Sequence, residues 1–248
     1  MFGKSRRMSR LFVGAKKRCL LSPLDHGGWL GPVAGLDNPQ AIVQQVTAGG
    51  ANAILASPGF LHAVEPVLRP DIGLVLRVSL TAGLSARSTQ ETPIAQLETA
   101  LRMDADAVAV SVFFGRDGDI EIYRWLAELI QACEPMDMPV IAEMMPSNEQ
   151  SFDATAIAHA ARIGMEIGAD VIKTNYCGDV DQFAHIVQAV PLPIIVAGGP
   201  KATPEVSTIQ LVRDAVAAGA SGVAIGRRVW QSEDPQAITR QIHQALFA

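Results

Sequence analysis

A lysine, an aspartate and a glutamate each stand within or just beyond a short apolar run of this 248-residue chain. The segment Gly168-Ala169-Asp170-Val171-Ile172-Lys173-Thr174-Asn175-Tyr176 reads as a short buried strand with Lys173 at its C-terminal end. An ammonium in an apolar wall costs free energy, so burial favours the neutral amine. An ordinary lysine has a pKa of about 10.4, and a carboxylate beside it opposes the effect of burial. A neutral amine attacks a carbonyl to form a Schiff base. The resulting iminium is an electron sink for a carbanion on the next carbon. The chemistry expected of Lys173 is therefore making or breaking a carbon–carbon bond beside a carbonyl.

Asp25 and His26 lie in Ser22-Pro23-Leu24-Asp25-His26-Gly27-Gly28. A carboxylate at a strand tip followed by glycines suits proton transfer or the binding of a substrate hydroxyl. A capping aspartate and a structural histidine are the plainer alternative. Glu143 interrupts Val140-Ile141-Ala142-Glu143-Met144-Met145, and Arg77 interrupts Leu74–Leu80. If both point inward they should pair, because a lone buried charge is too costly. A structural ion pair and a catalytic part remain equally open for them.

Two segments could bind an anion. Ala197-Gly198-Gly199-Pro200-Lys201 and Ile225-Gly226-Arg227-Arg228 each end an apolar run in glycine followed by a cation. Glycine lets backbone N–H groups approach a phosphate, and arginine can hold one bidentately.

These residues must be positioned by something regular. Short apolar runs recur at Cys19–Leu24, Asn52–Ala56, Leu74–Leu80, Ala107–Val112, Pro139–Met144, Val171–Thr174, Pro193–Ala197 and Gly222–Ile225. Continuous apolar runs bounded by Gly, Pro or Asp are what parallel strands buried on both faces require. Amphipathic stretches lie between them. Asn38-Pro39 opens a helix running to about Thr47. Asp119–Cys133, Asp153–Ile167, Asp179–Val190, Pro204–Ala218 and Asp234–Phe247 share that helical pattern. Several end in Ala-Gly-Ala or Ile-Gly-Ala, a helix stop before the next strand.

Eight βα units predict an α/β protein, a single (β/α)8 TIM barrel over residues 1–248, with residues 1–18 as a basic N-terminal arm. A doubly wound open sheet would favour a GxGxxG turn after the first strand, and none is present. In a barrel the C-terminal strand ends carry the chemistry. By position alone, Asp25, His26, Ser79, Ser111, Glu143, Met145, Lys173, Asn175, Gly198–Lys201 and Gly226–Arg228 face that end. Its last two loops are where barrel phosphate sites are often built.

Composition narrows the rest. The chain is 49 % hydrophobic but only 5 % aromatic, so Ala, Val, Ile and Leu must fill the core. The formal charge of −5 gives no global field for nucleic acid. Lys4, Arg6, Arg7, Arg10, Lys16, Lys17 and Arg18 are the exception, expected as a solvated arm rather than an anion or partner site. The N-terminus lacks the apolar run of about 7–15 residues of a signal peptide, and no stretch reaches the roughly 18 apolar residues of a membrane span. Cys19, Cys133 and Cys177 are too few and too far apart for a disulfide framework or a zinc site, which fits a reducing cytoplasm. Cys19 and Cys133 are expected in the core and Cys177 near the site. No metal or cofactor is expected.

Together the motifs resemble those of the DhnA-type class I aldolases of the DeoC/FbaB/LacD superfamily. The matching pieces are Leu24-Asp25-His26-Gly27, Gly35-Leu36-Asp37-Asn38-Pro39, Gly168 to Tyr176, Val196-Ala197-Gly198-Gly199-Pro200-Lys201 and Gly222-Val223-Ala224-Ile225-Gly226-Arg227. The resemblance implies a Schiff-base aldolase-type lyase or transferase acting on a phosphorylated ketose or keto compound, commonly a ring-shaped homo-oligomer. It matches Lys173 to the imine-forming lysine and Asp25 to an acid/base aspartate. Gly198, Gly199, Gly226 and Arg227 match the phosphate loops. Three positions depart from its pattern. Met145 stands where a tyrosine is usual, and Arg77 and Phe113 where histidines are usual. The proton-transfer set is therefore altered, with Glu143 or His26 as candidate replacements. Two other functions stay open: a phosphate-binding isomerase or synthase without covalent catalysis, and a non-catalytic sugar-phosphate-binding paralogue.

Overall fold

The computed structural model describes residues 2–81, 84, 90–116, 118–199 and 207–248. Among the described residues ten strands are formed: β1 (Cys19–Pro23), β2 (Ala53–Ala56), β3 (Gly73–Arg77), β4 (Ser79–Thr81), β5 (Glu91–Pro93), β6 (Ala107–Phe114), β7 (Val140–Pro146), β8 (Val171–Thr174), β9 (Ile194–Ala197) and β10 (Gly222–Ala224). Eight of them close a parallel barrel in the order β1-β10-β9-β8-β7-β6-β3-β2, with helices between successive strands. Each of the eight apolar runs contributes one of those eight strands.

Side chains alternate between the two faces of each strand. Leu21, Leu55, Val75, Ala109, Ile141, Val171, Ile195 and Ala224 form one apolar cluster inside the barrel. Leu20, Ile54, Leu76, Val108, Val110, Ala142, Ile172 and Val196 point the other way, into the larger core shared with the helices. Two residues beyond the inner set on four of these strands stand Arg77, Ser111, Glu143 and Lys173. The sequence thus changes from apolar to charged along the barrel axis.

Helix starts follow their caps. Asn38, Asp153, Asp179 and Asp234 each accept a hydrogen bond from a first-turn N–H of Pro39–Ala48, Ala154–Glu166, Val180–Ala189 and Pro235–Phe247. The helix after β9 runs Thr208–Ala217, capped by Ser207. The expected start of that helix at Pro204 lies outside the described residues.

Two expectations need correction. The run Leu74–Leu80 is not one strand. β3 ends at Arg77, Val78 donates to Ala109 O at 3.1 Å, and β4 then pairs antiparallel with β5 as a small hairpin. Past the barrel rim the backbone of β4 has no barrel neighbour, and β5 supplies its hydrogen bonds.

The basic N-terminus is not a solvated arm. Phe2–Leu11 is a helix, and Leu11 is fully buried with the inner cluster. Asn52 Nδ2 donates to Leu11 O at 2.7 Å. Arg10 pairs with Asp106, and Lys4 lies 2.9 Å from Asp170 and 2.6 Å from Glu134. Asn52, Asp106 and Asp170 immediately precede strands, so the helix closes the N-terminal end of the barrel. Lys4 and Arg10 are held by carboxylates and Arg7 donates to Ala105 O, contacts that the amphipathic pattern alone does not reveal, while Arg6 is exposed.

Candidate active site

The opposite end of the barrel opens into a cleft of about 380 Å³. Its floor is a charged lattice made by the strand register. Ser111 on β6 is the partner of Glu143 on β7, which is the partner of Lys173 on β8. Lys173 Nζ donates to Glu143 Oε1. Arg77 reaches across from β3 and donates Nη2 to Glu143 Oε2 at 2.6 Å, Nη1 to Ser111 Oγ at 2.6 Å and Nε to Asp25 Oδ2 at 2.6 Å. Ser111 Oγ donates to the same Glu143 oxygen at 2.8 Å, and its N–H donates to Ser79 Oγ at 3.2 Å. Lys173, Glu143 and Arg77 are only 5–6 % exposed. Arg77 and Glu143 both face inward and pair, as isolated buried charges must.

The electrostatics follow from the contacts. Burial alone would push the Glu143 carboxyl up, but Lys173 and Arg77 hold it well below the usual carboxylate range. Asp25 is likewise opposed by burial and held low by Arg77, with His26 and Lys173 adding to the effect. Arg77 is desolvated too, yet Asp25 and Glu143 keep it firmly charged. Both carboxylates are therefore proton acceptors at neutral pH.

His26 lies beside this lattice, its Nδ1 3.2 Å from Asp25 Oδ1. Its ring meets Trp230 edge-on with centroids 5.6 Å apart. Gly198, Gly199, Gly226 and Arg227 line the same cleft, so the two glycine segments converge with the charged floor. A Cβ at Gly226 would sit 3.2 Å from Pro23 O and 3.3 Å from Trp230 Nε1. Glycine there leaves a hollow that any side chain would fill. Burial lowers the affinity of the half-buried Arg227 guanidinium for its proton, and no carboxylate among the described residues offsets that. Lys201 lies outside the described residues. Arg228 and Cys177 do not line the cleft, so the expectation that Cys177 sits near the site is not met; its thiol instead donates to Asp179 O at 3.4 Å. Cys19 and Cys133 are buried.

Other residues of the cleft escaped sequence reasoning: Trp29, Glu91, Arg116 and Phe152. Arg116 lies 4.0 Å above the Phe113 ring. None of them interrupts an apolar run, so no pattern marks them. Met145 and Phe113 line the wall and have no proton to transfer. Among the described residues, no three His, Cys, Asp or Glu side chains converge to hold a metal.

Comparison with known proteins decides the family. The model for DeoC/LacD family aldolases matches residues 19–232. The chain belongs to this family. It is 36 % identical to 2-amino-3,7-dideoxy-D-threo-hept-6-ulosonate synthase of Halobacterium salinarum, over 97 % of this chain and 90 % of that protein. It is 31 % identical to 2-amino-4,5-dihydroxy-6-oxo-7-(phosphonooxy)heptanoate synthase of Streptomyces griseus, over 99 % of this chain and 90 % of that one. A Schiff-base-forming fructose-1,6-bisphosphate aldolase, solved with its reaction intermediates, superposes with a TM-score of 0.86 at 25 % identity, covering 98 % of this chain and 99 % of that one. This DeoC/LacD member is thus an enzyme of the class I aldolase type. Among the described residues no helix is long and apolar enough to cross a membrane.

Proposed function

We propose that Lys173 forms the imine in an aldolase-type lyase or transferase whose substrate is a phosphorylated keto compound. The observation that carries this reading is the placement of Lys173. It is a buried amine at the C-terminal end of a barrel strand, on the floor of a cleft, with its hydrogen bond to Glu143.

The chemistry follows from the contacts. Glu143 takes the proton as the amine attacks the keto carbon. Loss of water from the carbinolamine gives an iminium that withdraws electrons from the neighbouring bond. Asp25, kept ionised by Arg77, accepts the hydrogen bond of a substrate hydroxyl and takes its proton as the carbon–carbon bond breaks. Gly198, Gly199 and Gly226 offer backbone to the phosphate, and Arg227 supplies the charge. The relatives, one of them a synthase named for a phosphonooxy compound, support a phosphorylated substrate. Three cysteines, none in a disulfide, suit a reducing cytoplasm. A homo-oligomer is also proposed, to be read by light scattering.

Borohydride reduction in the presence of dihydroxyacetone phosphate tests the central claim. A stable adduct on the Lys173 peptide is expected, and none in Lys173→Ala. An adduct elsewhere, or turnover of Lys173→Ala at the wild-type rate, would overturn it. Binding of phosphate esters without trapping would favour a non-covalent isomerase or synthase.

A further inference from the structure

Class I aldol chemistry needs a group that gives a proton as well as groups that take one. When the carbon–carbon bond breaks, the electron pair passes to the imine nitrogen and leaves an enamine. A proton must then be added at the enamine carbon to regenerate the iminium. In the resting site Arg77 and Lys173 hold Asp25 and Glu143 as carboxylates, so neither starts with a proton to give; the proton Glu143 takes from the amine is spent on the water that leaves the carbinolamine, and the one Asp25 takes lies at the departing carbonyl. Met145 and Phe113 have no exchangeable proton.

We propose that Glu91 is the proton donor of this site, delivering its proton to the enamine carbon of the substrate attached to Lys173. The inference rests on the reading of Lys173 as the imine-forming residue. Glu91 leaves the step as a carboxylate and regains its proton from water, so no other reactant is needed.

The placement of Glu91 carries this. It stands on β5, the strand that β4 recruits beyond the barrel rim, opposite Thr81 in the register. Its side chain lines the same cleft as Lys173. Oε1 accepts from Thr81 Oγ1 at 2.5 Å. Oε2 is buried and has no hydrogen-bond partner among the described residues. A buried, unpartnered carboxylate oxygen is costly, and the neutral acid avoids that cost while carrying a proton to give. Burial raises the affinity of Glu91 for its proton; Arg77, Thr81 and Ser79 oppose this, Glu143 adds to it, and the balance is upward. Among the described residues the other charged groups around the hairpin are Arg116, on which Glu91 acts, and Asp119, whose carboxylate accepts from Gly115 N–H. Two kinds of carboxyl thus share one cleft: a low pair fixed by cations and a raised one held by hydroxyls. Such a split separates acid from base.

The test uses Glu91→Gln, which keeps the shape and the bond to Thr81. In deuterated water the enzyme should exchange the C3 proton of dihydroxyacetone phosphate, read by NMR, while borohydride trapping reports the imine separately. Glu91→Gln should trap as wild type does, yet exchange at least tenfold and up to about 10⁴-fold more slowly. Wild-type exchange begins with Glu91 as the base, so it should rise with pH through the raised Glu91 value, a rise absent in Glu91→Gln. A loss below tenfold with trapping intact, or a larger loss in His26→Asn than in Glu91→Gln, overturns the assignment. Loss of trapping in Glu91→Gln would mean that Glu91 merely builds the site, which also overturns it. If wild type does not trap, the Lys173 reading fails instead. The infrared band of a protonated carboxyl in resting enzyme near neutral pH then still judges Glu91: its disappearance in Glu91→Gln supports the proton, and its absence from wild type refutes it.

Discussion

Glu143 and Lys173 are register partners on adjacent strands, and the amine donates to the carboxylate across β7 and β8. A backbone pairing therefore fixes a side-chain contact, and under the proposed function it delivers the nucleophile with its proton acceptor attached. Removing the amine should remove the covalent route. Lys173→Ala should lower turnover by roughly 10⁴-fold or more, the scale seen when a covalent nucleophile is deleted. Steady-state kinetics together with borohydride trapping would check this. Glu143→Gln should still trap, but with slower imine formation, by about 10²–10⁴-fold if Glu143 acts as the general base. A Glu143→Gln enzyme that forms the imine at the wild-type rate would exclude that role.

Arg77 joins the two halves of the floor, with Asp25 on one side and Glu143 on the other. Arg77→Met would leave the buried Asp25 without its guanidinium and Glu143 with Lys173 as its one remaining cation among the described residues. Breaking a buried pair in this way costs about 3–5 kcal/mol. The folded forms of Asp25 and Glu143 hold their protons more weakly than the unfolded chain does. Their contribution to stability is therefore complete above the unfolded value near pH 4 and is lost as pH falls through the folded values. Wild-type Tm should drop steeply on acidification below about pH 4. Arg77→Met should begin lower at pH 7 and fall less. Parallel melting curves for the two proteins would contradict this account.

Gly226 gives a steric prediction. Its φ is negative, −98°, so a left-handed backbone is not what calls for glycine there. Its added Cβ would instead enter the hollow bounded by Pro23 O, Trp230 Nε1 and His26 Cε1. Gly226→Ala should raise KM for a phosphorylated ketone by about tenfold or more, equivalent to roughly 1.4 kcal/mol. Tm should move little, and competition by inorganic phosphate should weaken in parallel. An unchanged KM would place the phosphate elsewhere.

The residues that sequence reasoning found share one property: each charge interrupts an apolar run. Lys173, Glu143 and Arg77 are visible because the strands around them are otherwise Val, Ile, Leu and Ala, and period-two alternation carries them onto one face. Asp25 and the glycine segments are visible because they end such runs. Glu91 stands in Gln90-Glu91-Thr92-Pro93, where nothing is periodic, and it reaches the cleft only through the antiparallel pairing of β5 with β4. The helix Phe2–Leu11 was hidden for a related reason. It is polar over most of its length, and its partners Asp106 and Asp170 are far away in sequence.

That helix gives the last prediction, which separates stability from chemistry. Leu11 fills the closed end of the barrel: its Cδ2 would lie 2.8 Å from a Cβ placed on Gly73, and its carbonyl is held by Asn52. The charged lattice is at the other end, beyond the inner layers of Val75, Ala109, Ile141 and Val171. Leu11→Ala would open a cavity among apolar side chains that close-packed strands cannot collapse to fill. Stability should fall by about 2–5 kcal/mol. At a temperature where the variant stays folded, kcat and KM should match wild type. Denaturant melts and kinetics on one preparation would measure both. A loss of activity in fully folded Leu11→Ala would show that the barrel floor is mechanically coupled to Lys173, because disturbance would then have crossed the apolar layers that separate them.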